Sequence, residues 1–105
     1  MSIYEILIKF DVSILYKIDV HGCLKNYIKE MLKNDGFNQV KVYKDETDDS
    51  DTSYDLIYKI IFEINDYDDA REFINNEHTI FYRCVPDKYH NDITINGYIF
   101  EMQNM

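Results

Sequence analysis

Glycine is scarce and scattered: Gly22, Gly36 and Gly97 stand singly in a chain of 105 residues. A phosphate-cradling loop needs clustered glycines so that backbone N–H groups can close on an anion, and neither a P-loop nor a dinucleotide fingerprint is present. Proline occurs once, as Pro86, at the head of a turn-rich run over 86–92. Cysteine occurs twice, as Cys23 and Cys84, too few and too far apart for a disulfide framework. A reducing cytoplasm is the matching expectation. No uninterrupted apolar run exceeds four residues, which excludes a membrane-spanning helix. Met1 leads straight into an alternating pattern rather than a charged and then apolar leader, so no secretory signal is read.

Basic residues are the other shortage. There are 11 Lys and Arg against 20 Asp and Glu, a net charge of −9. The imbalance is uneven: residues 1–44 carry seven basic against five acidic side chains, and residues 45–105 carry four against fifteen. The sharpest concentration is 45–55, where Asp45, Glu46, Asp48, Asp49, Asp51 and Asp55 fall within eleven residues that hold no Lys or Arg. Such a charge repels nucleic acid and anionic membranes and attracts basic partners.

What is abundant is apolar. Hydrophobic residues make up 46% of the chain and aromatics 15%, so the charge does not imply global disorder. At this length one domain, 1–105, is expected, able to bury roughly 60–70% of its unfolded surface.

Residues 3–10 alternate, with Tyr4, Ile6, Ile8 and Phe10 on one face, and read as a half-buried strand. Val20, Cys23, Leu24, Tyr27, Ile28, Met31 and Leu32 follow helical spacing, with Asp19 as N-cap and a left-handed Gly36 as the stop. A short strand is expected over 37–44. A long one over 54–64, apolar on both faces, is expected at the centre of its sheet. A second helix over 67–75 is capped by Asp66, with Tyr67, Ala70, Phe73 and Ile74 buried. Strands are expected over 78–85 and 93–102, the latter with Gly97 marking a bulge. The order β-α-β-β-α-β, plus one extra C-terminal strand, is the ferredoxin-like split βαβ layout, an α+β fold with both helices on one face of an antiparallel sheet.

Chemistry-bearing motifs are thin. Cys23 belongs to the apolar helix stripe, and nothing in its sequence setting lowers its thiol pKa. His21, Cys23, Cys84 and His90 are a ligand set that zinc accepts, but their spacing matches no familiar zinc module. Asp45, Thr47, Asp49 and Asp51 imitate part of an EF-hand loop, yet Ser50 stands where glycine is needed and Leu56 where glutamate closes the site. No catalytic residue, metal or cofactor is assigned.

The remaining signal is the acidic surface. A second acidic group, Glu63, Asp66, Asp68, Asp69, Glu72 and Glu77 with Tyr67, follows the first, which Tyr43 and Tyr54 flank. Tyrosine is enriched at interface hot spots, and fixed carboxylates can occupy a Lys/Arg-lined channel built for phosphate. The expectation is a non-enzymatic protein that binds a basic protein surface, with a nucleic-acid-binding or nucleic-acid-guided enzyme as the target class. By size and charge alone it resembles, as a class, phage-encoded antagonists of host defence such as anti-CRISPR proteins. The bland reading of a charge run is a solvated loop that keeps a protein soluble. The alternatives are a homodimer through an open sheet face bearing Ile57, Ile61, Phe81 and Val85, or a small ligand-binding enzyme domain.

Overall fold

A computed structural model describes residues 2–14, 17–45, 56–74, 81–101 and 103. Strand β1 (Ser2–Phe10) leads through a 3-10 turn (Val12–Ile14) into helix α1 (Val20–Leu32). Strands β2 (Phe37–Lys44) and β3 (Leu56–Ile64) follow, then helix α2 (Tyr67–Ile74), a 3-10 segment (Asp87–Asp92) and strand β4 (Ile93–Glu101). The sheet order is β2-β3-β1-β4 and every neighbouring pair is antiparallel. This is the expected split βαβ layout, with β3 and β1 in the centre.

The helices cover one face. Tyr4, Ile6, Ile8 and Phe10 from β1 and Ile60 and Phe62 from β3 are fully or almost fully buried there. From α1 come Cys23, Leu24, Tyr27 and Met31, and from α2 comes Ala70. Aromatic edges lock the layers: Tyr27 meets Phe62 at 6.4 Å, and Phe37 meets both Phe62 at 5.6 Å and Phe73 at 6.0 Å between ring centres. The Asp19 carboxylate accepts from Gly22 N at 3.0 Å and caps α1, as its position before the apolar stripe implies.

Five expectations need correction. Residues 81–85 form no strand: Phe81 and Tyr82 are helical and a turn follows, while 78–80 lie outside the described residues. Phe81 and Val85 are core residues, with Phe81 against Phe10 and Tyr27 at 5.8 Å each, and they are absent from the open face. The strand at Ile93–Glu101 is consequently the fourth of the sheet rather than an addition to it. Gly36 has no positive φ; it is needed because α2 crosses over it, and a Cβ there would stand 2.7 Å from Ala70 N. Gly97 sits in regular register, and the bulge is instead in β2 between Asn38 and Val40, where Gln39 takes φ 37°.

The cysteines also depart from expectation. Cys23, in the first turn of α1, is joined to Cys84 by a disulfide across 61 residues, with the Cα atoms 5.6 Å apart. Sequence distance hid the pair because the fold returns the chain over α1 after α2. Cysteine usage therefore gives no support to a reducing compartment. Among the described residues, no helix is long and apolar enough to cross a membrane.

Candidate functional site

Two surfaces carry the features singled out by the sequence, and the sheet separates them. The first is acidic. The Asp66 carboxylate accepts from Asp68 N at 3.1 Å and Asp69 N at 3.2 Å, closing the first turn of α2 and consuming part of its positive end. Asp68, Asp69 and Glu72 are all exposed, and Tyr67, expected on the buried face, is exposed beside them at the open first turn of the helix. Among the described residues, none of these three carboxylates has an ion-pair partner. A groove of about 510 Å³ runs between α2 and the end of α1, lined by Lys33, Asn34, Asp35, Asp69, Glu72 and Phe73. Lys33 is the cation in that groove, and it is turned onto its own helix: its Nζ bonds Glu30 Oε1 at 2.8 Å. That hydrogen bond and charge hold the Glu30 carboxyl below its ordinary range.

Of the other acidic group only Asp45 is among the described residues, and it is placed apart from α2. Asp45 closes β2, its N–H donating to Ile57 O at 2.9 Å at the start of β3. Helix α2 begins beyond the end of β3. The nine residues of β3 therefore separate Asp45 from the start of α2 by roughly 25–30 Å. Glu46, Asp48, Asp49, Asp51, Tyr54 and Asp55 lie outside the described residues.

The second surface is the sheet face that no helix covers. Cross-strand register orders it in rows. Asn38, Glu63, Ile3 and Phe100 stand abreast; then Lys41, Ile61, Glu5 and Tyr98; then Tyr43, Lys59, Leu7 and Asn96; then Ile57, Lys9 and Thr94. Ile3, Leu7, Ile57 and Ile61 are only half-buried, and Tyr43, Tyr98 and Phe100 are about half exposed. In the middle, Lys59 Nζ lies 3.1 Å from Glu5 Oε1. A shallow hollow of about 460 Å³ opens near Tyr43, Lys44 and Asp45, floored by Leu7, Ile57 and Ile61. Sequence reasoning placed Ile57 and Ile61 here correctly but missed Tyr98 and Phe100. Their signal was the even-numbered alternation of β4.

The histidine and cysteine set does not converge as a metal centre. The cysteines are joined to each other, and His90 Nε2 lies 2.8 Å from Val85 O and 3.2 Å from Tyr82 O, so that nitrogen carries a proton that it donates. Among the described residues no group of three or more His, Cys, Asp or Glu side chains is arranged to hold a metal ion.

No protein-family model matches the chain, and no curated protein matches it significantly. Solved structures match over nearly the whole length. A protein from Arabidopsis thaliana, At3g17210, aligns over 98% of this chain and 97% of its own with TM-score 0.65 and 9% identity. The de novo designed protein Foldit4 aligns over 97% and 98%, with TM-score 0.64 and 10% identity. SnoaB, a cofactor-independent oxygenase from Streptomyces nogalater, aligns over 98% and 95%, with TM-score 0.53 and 9% identity. Likeness at such identity shows a shared α+β fold and nothing of the chemistry.

Proposed function

We propose that this protein is a non-enzymatic binding protein whose acidic surface docks on a basic protein surface, and that the target is a nucleic-acid-binding or nucleic-acid-guided enzyme whose cationic channel it occupies. The observation that carries this reading is α2: Asp68, Asp69 and Glu72 project from one short helix into solvent without ion-pair partners among the described residues, and Asp35 faces them across the groove. Carboxylates fixed on a helix lose little freedom on docking, so more of their attraction survives as affinity. Exposed Tyr67 adds apolar area at the start of the same helix. The total of −9 also exceeds the charge magnitude of about 2–8 that keeps a small domain soluble.

Binding of this kind is steered by long-range charge and weakens with salt. The protein, immobilised and exposed to host lysate at low salt, is expected to retain a basic partner that high salt releases. The partner, once purified, should bind the triple variant D68N/D69N/E72Q at least about tenfold more weakly, three charge contacts at about 0.5 kcal/mol each sufficing. Unchanged affinity for that variant would remove α2 from the interface.

A further inference from the structure

We propose that the open face of the sheet seats a second copy of this chain, the two sheets packing face to face about a two-fold axis. This goes beyond the acidic docking role and is independent of it, because α2 lies on the opposite side of the sheet and stays exposed in such a dimer.

The molecule is a slab of 40 × 33 × 18 Å, two layers thick, with helices on one side only. The bare side is the one a soluble monomer should have made polar, since antiparallel sheets that face water alternate apolar and polar residues. Instead Ile3, Leu7, Ile57 and Ile61 run through its centre, and Tyr43, Tyr98 and Phe100 stand around them. Aliphatic and aromatic side chains gathered on one exposed face are the composition of an interface rather than of a solvated surface.

Charge decides in favour of a like copy. The protein as a whole carries −9, so two copies repel through most of their surfaces. The open face is the exception: Lys9, Lys41 and Lys59 are matched there by Glu5, Glu63 and the neighbouring Asp45. Lys59 and Glu5 already meet within one copy, so covering them leaves neither charge alone. A two-fold axis parallel to the strands, between β1 and β3, lays β3 on the partner's β1 and β2 on its β4. In that register no lysine faces a lysine and no carboxylate a carboxylate, and Tyr98 comes over the partner's Lys41, a cation on an aromatic face.

The area is sufficient. Four strands about 4.8 Å apart and nine residues long at about 3.3 Å each give a face of roughly 600 Å². Two such faces reach about 1,200 Å², where specific interfaces begin.

Sedimentation equilibrium of the full chain tests this. The expected mass is twice 12.7 kDa at micromolar concentrations. Ile61→Glu should raise the dissociation constant by about a hundredfold or more and give monomer with an unchanged far-UV spectrum, because in that register the new carboxylate would be buried against the partner's Glu5. In a free sheet it stands in water between Lys41 and Glu5, which the monomer tolerates. Leu32→Glu, at an exposed apolar position on α1, should leave the dimer intact. If Ile61→Glu unfolds, Tyr98→Ser with Phe100→Ser is the substitute and should also dissociate the pair. A monomer at all concentrations, an open-ended series of masses, or a dimer that Leu32→Glu disrupts and the open-face variants do not, would each overturn the proposal.

Discussion

Gly97 in β4 lies directly against the ring of Tyr4 in β1: a Cβ at position 97 would come within 2.8 Å of two ring carbons and closer still to the hydroxyl. Tyr4 is 2% exposed, so the ring has no room to retreat. The glycine is there for close approach between strands, with ordinary backbone angles.

Gly97→Ala is therefore expected to lower stability by about 1–3 kcal/mol, the usual cost of overfilling a packed site. In a Tyr4→Val background the same change should cost much less. A double-mutant cycle by urea denaturation measures this coupling, and strictly additive effects would mean that the ring and the glycine do not meet.

The Cys23–Cys84 crosslink ties the start of α1 to the turn that precedes the Asp87–Asp92 segment. Closing a loop of 61 residues restricts the unfolded chain, so reduction should cost about 2–4 kcal/mol. Thermal unfolding with and without reductant measures it, and Cys84→Ser should be insensitive to reductant. Two alkylatable thiols in the purified, unreduced protein would contradict the pairing.

Tyr27 supplies a pH dependence. Burial keeps its phenol protonated well beyond the ordinary value of 10.0. The unfolded chain releases that proton above about pH 10 while the folded chain keeps it, so the contribution is fully present below pH 10 and declines above it, by up to about 1.4 kcal/mol per pH unit. Tyr27→Phe should lose less stability than the parent between about pH 9 and 11. Equal losses in the two proteins, by urea titration at each pH, would show that Tyr27 titrates normally.

Much of this architecture was legible because single elements carry unmistakable periods. The α1 stripe from Val20 to Leu32 and the β1 alternation at Tyr4, Ile6, Ile8 and Phe10 allow one reading each. The central place of β3 followed from Ile57 and Ile61 opposing Ile60 and Phe62. The stretch around Phe81 was misread because Ile80, Tyr82 and Cys84 alternate as a strand would. Phe81 and Val85, spaced four apart and both buried, carried the competing helical period. Tyr98 and Phe100 join the open face only because β4 pairs with β1 at the sheet edge, opposite Glu5 and Ile3, a pairing that its own alternation does not specify. The disulfide could not be read at all, since it depends on where the chain returns in space.

The proposed docking through α2 makes the position of the negative charge matter more than its amount. Two variants remove the same three charges: D68N/D69N/E72Q on α2 and D48N/D49N/D51N on the acidic run. Affinity for the captured basic partner, measured for both by calorimetry at fixed low salt, separates position from amount. The expected result is a loss of about tenfold or more for the α2 variant and less than about threefold for the other. Equal losses, or the larger loss in the 48–51 variant, would contradict docking through α2.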